Sequence, residues 1–285
     1  MIKLKNIGKM YSSKFVLENI NLDIKSNTII GLVGENGAGK STIMKIITGL
    51  IRNYRGEKII TQNNFKIGAL IDGPSFYKNY DARTNLEYLG AYNNINNCEI
   101  DYIFNLLNLN EFGNKPYSKY SLGMRQRLGI GFTLLGNPNL LVLDEPFNGL
   151  DPKQVYQIVD ILKKWKQETH GSILISSHIL SQLDMLCDSV IFIDKGKIVK
   201  KIDMNEYKNT SIYRVILSDK NEDLYNYLIK NKIKILECIE NKNYKIEVDS
   251  DNNIIKYINK NFEVDELYRE KQTLEDIYRK VEGIN

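Results

Sequence analysis

From Gly34 the chain reads Gly34-Glu35-Asn36-Gly37-Ala38-Gly39-Lys40-Ser41. The glycines clear side chains from a tight turn, so main-chain N–H groups can point inward, and Lys40 adds a positive charge. The spacing matches G-x-x-x-x-G-K-[ST] in full, a loop that cradles phosphate with backbone donors and the N-terminus of the next helix. Lys40 would reach the terminal phosphates, and the Ser41 hydroxyl would ligate Mg²⁺. Gly34, Asn36, Gly37, Ala38, Gly39 and Thr42 complete the candidate contact set. A glycine-rich turn with a stray lysine would read the same way without a strand before it and a helix after it.

Further along, the run Leu140-Leu141-Val142-Leu143 ends in Asp144-Glu145. Carboxylates at the C-terminal end of a buried parallel strand sit where open α/β sheets place ligand chemistry. Asp144 would hold Mg²⁺ through water, and Glu145 would polarise an attacking water as general base. Alone, two acids ending a strand in solvent would be the simpler reading; the phosphate loop upstream reverses it. A third element is Tyr120-Ser121-Leu122-Gly123-Met124. Ser121 and Gly123 precede a helix whose free N-terminus could take an anion. In isolation they are an ordinary serine cap lacking its capping-box partner.

These residues need a frame. Short β-like runs occur at Met1–Gly8, Val16–Ile24 and Thr28–Gly34. Ile43, Ile46, Ile47 and Leu50 recur at helical spacing after Ser41. The phosphate loop therefore lies between a strand and a helix. The region from Phe76 to Pro138 reads mostly as helix. Asp151-Pro152 opens another helix with Pro at its first position and an apolar stripe of Val155, Ile158, Val159, Leu162 and Trp165. Ser172–His178 and Ser189–Val199 read as one strand each. The frame is α/β. After Asn209 the texture changes to β-α-β-β-α-β, the order of a ferredoxin-like unit, closed by a last helix. Residues 1–209 and 210–285 are thus expected as two domains, the second a small α+β accessory.

The totals exclude other classes. The 285 residues are 42% hydrophobic and 26% charged, an ordinary globular balance. The net charge of +4 is scattered rather than clustered, which argues against a nucleic-acid partner. Cys98, Cys187 and Cys238 lie far apart and suggest neither a disulfide framework nor a metal site. No run approaches the ~20 apolar residues of a membrane helix, and the first residues carry no signal-peptide pattern. Membrane contact is expected only through a partner, with the chain in the cytoplasm.

Together the motifs resemble the ATP-binding subunit of an ABC transporter. The likeness runs from about Met1 to Lys201, with the motifs in the family's order: phosphate loop, Tyr-Ser-Leu-Gly-Met in place of the common Leu-Ser-Gly-Gly-Gln, the Asp-Glu strand, Asn148-Gly149-Leu150-Asp151, then Ser176-Ser177-His178. The resemblance implies a P-loop NTPase with a RecA-like core and an inserted helical subdomain over about residues 76–138. It implies hydrolysis of ATP with Mg²⁺ between two subunits, identical or related. Ser121, Leu122, Gly123 and Met124 of one would meet the γ-phosphate on the other's Lys40 loop. Asp151 would sit at the dimer seam, and Tyr11 would stack on adenine. His178 would steady the attacking water beside Glu145 and Lys40. A transmembrane permease would be the partner, placing the chain peripherally on the inner face of the cell membrane.

One position departs from the general pattern. Most members carry Gln where this chain has Asp72, after the strand Phe65–Ile71. An acidic residue there, with Leu122 in the signature, resembles a subgroup that exports lantibiotics, bacitracin-like antibiotics and amphipathic peptides or confers immunity to them. That subgroup usually has Glu, one methylene longer. Asp72 is therefore a third expected metal-site residue, after Ser41 and Asp144. Asp72, Pro74, Phe76 and Tyr77 are expected to form a coupling loop with an exposed aromatic group. The alternative is an ABC-type ATPase acting without a permease, on ribosomes or DNA.

Overall fold

The computed structural model describes residues 1–73, 75–91, 95–209, 211–248, 253–270 and 273–282. Two compact units divide the chain, Met1–Lys201 and Ile202–Asn285. In chain order the first contains β1 (Ile2–Tyr11), β2 (Lys14–Ile24), β3 (Ile29–Val33), α1 (Lys40–Ile47), β4 (Arg55–Ile60), β5 (Ile67–Leu70), α2 (Ala82–Gly90), α3 (Asn97–Leu106), α4 (Leu122–Leu134), β6 (Leu140–Leu143), α5 (Pro152–Thr169), β7 (Ser172–Ser176), α6 (Leu180–Asp184) and β8 (Ser189–Asp194). β9 (Lys197–Asp203) runs across the boundary.

Every residue of β3, β6 and β7 is buried. Runs apolar on both faces have one good home, the inside of a parallel sheet covered on both sides. They form it here in the order β5-β6-β7-β3-β8-β9, in which the pairs β5–β6, β6–β7, β7–β3 and β3–β8 are parallel. β1 pairs antiparallel with both β2 and β4 in a second, three-stranded sheet. The phosphate-loop helix α1 lies in the layer between. Its Ile43, Met44, Ile46 and Ile47 pack with Ile2, Leu17 and Ile24 of one sheet and Leu32, Val142 and Ile191 of the other in one apolar cluster. β4 gave no signal in the sequence, because Arg55–Ile60 alternates only weakly and is mostly exposed or half-buried.

The reading of Ser189–Val199 as one strand is corrected. Lys195 and Gly196 adopt left-handed backbone, φ +44° and +78°, and make a two-residue turn that splits the run into β8 and β9. The turn also braces the phosphate loop: the Gly196 N–H donates to Ala38 O at 3.0 Å, and its carbonyl accepts from Glu18 N at 2.8 Å.

Between β5 and β6 the chain makes α2, α3 and α4, within the span expected for a helical subdomain. The C-terminal turn of α4 rests directly on β5. A Cβ at Gly68 would lie 1.8 Å from the Thr133 carbonyl oxygen, so only glycine lets the helix approach this closely.

The second unit begins with α7 (Met204–Asn209), then runs β10 (Ser211–Leu217), α8 (Glu222–Lys230), β11 (Lys234–Ile239), β12 (Asn243–Val248), α9 (Asn253–Asn261), β13 (Val264–Glu270) and α10 (Leu274–Glu282). Its antiparallel sheet has the order β11-β12-β10-β13, and the β-α-β-β-α-β succession is that of a ferredoxin-like unit. Tyr244, Ile246 and Val248 alternate into a core with Val215, Leu224, Leu228 and Ile258.

The layer position of α1 makes Ile43, fully buried, a test of the first unit. Ile43→Ala should cost about 2–5 kcal/mol, seen as a lower midpoint in urea denaturation.

Candidate active site

Lys40 is 6% exposed and buries its charge among its own loop. Its Nζ donates to Gly34 O at 2.6 Å and to Glu35 O at 3.1 Å. Gly39 is the N-cap of α1 at φ +111°, with no side-chain cap, and the first turn holds no acid. The leading N–H groups of α1 thus remain open to an anion. Gly37 has φ +86°, and a Cβ there would meet nothing within 4 Å; the glycine serves conformation rather than space. Gly34 is the opposite case, since a Cβ would lie 2.2 Å from Ile193 O.

The carboxylates arrive from β6. Ser176, ending β7, donates its hydroxyl to Asp144 Oδ1 at 2.6 Å and accepts from the Glu145 N–H at 2.8 Å. One fully buried hydroxyl therefore orients both acids. Glu145 has φ +48°, uncommon for a residue other than glycine and the kind of local strain that collects at functional sites. Its Oε2 lies 2.8 Å from His178 Nδ1, and its Oε1 lies 3.9 Å from Lys40 Nζ. Glu145 thus stands between the loop lysine and the histidine of the Ser-Ser-His run. Ser176 was missed in the sequence, although it is the first residue of that run.

A cavity of about 680 Å³ joins these groups, lined by Lys40, Ser41, Thr42, Asp72, Asp144 and Glu145 among others. Asn36, Gly37 and Gly39 lie on its wall, as do Leu122 and Gln126 from α4. Tyr11, expected over adenine, is not on this wall; it is half-exposed, with Lys9 Nζ 4.8 Å from its ring centre.

Ser121 caps α4, its Oγ accepting from Met124 N at 3.4 Å. Asp151 caps α5 in a complete capping box with Gln154. The two helix starts touch: a Cβ at Gly123 would lie 2.6 Å from Gln154 Nε2. Arg127 also donates to Gln157 Oε1 at 2.6 Å.

The coupling loop is partly corrected. Phe76 is buried, not exposed, because its ring packs edge-on against Tyr117 at 5.3 Å and Phe132 at 6.1 Å inside the helical region. Tyr77 is exposed, and its ring centre lies 5.6 Å from that of Tyr80 and 5.0 Å from that of Tyr88. Pro74 lies outside the described residues. Asp72 pairs with a residue the sequence did not single out, Lys45 of α1, at 2.7 Å. Asp72, through its hydrogen bond, lifts the Lys45 ammonium above the ordinary lysine range, against a smaller lowering by burial.

Residues 17–148 match the family profile of ABC transporters. The chain is 38% identical over 228 residues to the lantibiotic transport ATP-binding protein SrtF of Streptococcus pyogenes, a match spanning 77% of this chain and 99% of SrtF. It belongs to the ABC transporter ATP-binding family. It is also 37% identical over 234 residues to the bacitracin transport ATP-binding protein BcrA of Bacillus licheniformis, covering 78% of this chain and 76% of BcrA. Among solved structures, a dimeric bacterial ABC transporter cassette has the same fold, with TM-score 0.65, 24% identity, and coverage of 72% of this chain and 99% of that one. As an ABC ATPase the chain binds and hydrolyses ATP. Among the described residues no helix is long and apolar enough to cross a membrane.

In this ABC ATPase Ser176 ties the two acids together without itself lining the cavity. Ser176→Ala should lower kcat about tenfold, the size of a lost hydrogen bond to a charged group worth about 1.5 kcal/mol, and change ATP affinity little. Steady-state ATPase kinetics beside nucleotide titration would separate the two effects.

Proposed function

We propose that the chain is the ATP-hydrolysing subunit of a bacterial transporter that exports an antimicrobial or amphipathic peptide, or removes it from the membrane. The observation that carries this is the likeness to SrtF along nearly its whole length. SrtF and BcrA are both named for transport of peptide antibiotics. The acid at Asp72 supports the same subgroup. The alternative, an ABC ATPase without a permease, has no comparable support.

The residue roles follow from the geometry. Lys40, now satisfied by two loop carbonyls, would turn its ammonium to the β- and γ-phosphates, with the open N–H groups at the start of α1. Ser41 and Asp144 would hold Mg²⁺, with Asp72 able to join them. Among the described residues no three His, Cys, Asp or Glu side chains form a metal cage. The donor set still fits, because Mg²⁺ is usually held by one or two protein oxygens, waters and the nucleotide's own phosphates. When bound, the metal neutralises phosphate charge. Glu145 would take the proton of the attacking water, held in place by His178. Catalysis is then mainly positioning and electrostatics.

Each chain carries one copy of each motif, so two copies, identical or related, would close over two nucleotides. Ser121 to Met124 of each would face the other's Lys40 loop, with Asp151 at the seam. A transmembrane permease would receive the coupling loop, with Asp72 and Tyr77 toward it, and would hold the chain on the inner face of the membrane. Residues 210–285, which carry none of the ATP motifs, would serve as an accessory domain for pairing or regulation.

Glu145→Gln keeps the side chain's size and removes the base. It should cut turnover about a hundredfold or more, while ATP binding persists and an ATP-bound dimer accumulates on size exclusion. Near-normal phosphate release would remove Glu145 from that role. Lys40→Ala should instead lose nucleotide affinity. For the cargo, a strain lacking the gene should become sensitive to a lantibiotic or bacitracin-like peptide and recover with the parent chain but not with Glu145→Gln. Unchanged tolerance across a panel of such peptides would refute the peptide reading and leave the ATPase assignment standing.

A further inference from the structure

Lys45 belongs to no motif, yet it sits at the metal side of the site. It follows Ser41 by four residues on α1, so the two share a helix face. Its ammonium lies 2.7 Å from Asp72 Oδ2. Asp72 stands in the loop after β5 with φ +62°, and the next residue, Gly73, has φ +85°. A left-handed aspartate is uncommon and here delivers its carboxylate to α1. Asp72 also lines the cavity that holds Ser41 and Asp144. The Lys45 ammonium lies within electrostatic reach of Asp144 as well. The Lys45 ammonium is therefore tied to one acid on that wall, Asp72.

We propose that Lys45 competes with the divalent metal for Asp72 and so sets the metal affinity of the site. This rests on the MgATP reading above. The Lys45 ammonium at 2.7 Å occupies one oxygen of an Asp72 side chain that is otherwise 70% exposed, whereas a hard dication favours an anionic oxygen, directly or through water. While the ion pair stands, that oxygen is engaged by Lys45 rather than open to the metal. When Asp72 turns to the metal, Lys45 is released and the loop after β5 is no longer tied to α1. The pair thus links metal occupancy to the position of the loop carrying Asp72 and Gly73.

The test is Mn²⁺ binding with saturating ATP in the Glu145→Gln background, where turnover does not intrude, with free Mn²⁺ read by electron paramagnetic resonance. Lys45→Met should tighten Mn²⁺ on the order of fivefold, within the range of couplings between contacting residues. Lys45→Gln, similar in length and still polar, should do the same. Loss of the lysine's charge alone would also favour a dication, so each substitution is repeated with Asp72→Asn. Competition requires that the gain largely vanish there. ATP binding in EDTA should be unchanged by Lys45→Gln, which separates metal effects from damage to the nucleotide site. An equal gain with and without Asp72→Asn would leave simple repulsion and overturn the competition. Weaker Mn²⁺ binding in both lysine variants would also overturn it. If the parent chain binds no ATP either with Mg²⁺ present or in EDTA, the MgATP reading fails first and takes this inference with it.

Discussion

A lysine ammonium buried among its own loop carbonyls is the constraint from which the rest of the site follows. Lys40 is 6% exposed, so its charge must be met by protein or by ligand. Gly34 and Glu35 supply the carbonyls only because the loop curls back on itself, with left-handed backbone at Gly37 and Gly39. The loop holds that shape because Ala38 is tied to the turn between β8 and β9. A phosphate would offer the ammonium a stronger partner than neutral carbonyls, because charge-assisted bonds are the stronger class. On binding phosphate, Lys40 would thus exchange one set of oxygens for another.

The two sheets and α1 convert that local arrangement into a site. Parallel strands β5 and β6 lie side by side and deliver Asp72, Asp144 and Glu145 from their C-terminal ends. Asp72 and Glu145 both have positive φ, at +62° and +48°. Adjacent strands therefore end in backbone that non-glycine residues seldom adopt, and each strained acid is held by a cationic or polar partner from another part of the fold. For Asp72 that partner is Lys45; for Glu145 it is His178, with Ser176 on its main chain. Local strain of this kind persists only where the surroundings fix it.

What could be read from the sequence was what local spacing encodes. The Lys40 loop, the Asp144-Glu145 strand end, the Asp151 cap and the apolar stripe of α5 all follow from neighbours in the chain, and the buried Val155, Ile158, Val159, Leu162 and Trp165 lie where that stripe put them. What escaped was set by packing across the fold. Phe76 looked like a surface aromatic because its partners Tyr117 and Phe132 are distant in sequence. Lys45 and Ser176 gave no signal because their meaning depends on which acid another strand brings to them. The β8–β9 turn lay between two apolar stretches, where Asp194-Lys195-Gly196-Lys197 was read as an interruption rather than a reversal.

The seat of α4 on Gly68 makes that helix a lever. Thr133 presses on β5 at one end, and Gly123 meets Gln154 at the other. The separation from Gly123 to Thr133 spans about 15 Å, so a tilt of about 4° at the seat swings the far end by about 1 Å. That is enough to open or jam the contact with Gln154. The aim of Ser121 and Gly123 is therefore set by the absence of a methyl group on a strand far from them. A glycine with no part in chemistry acts as the fulcrum for the helix start that carries Ser121 and Gly123.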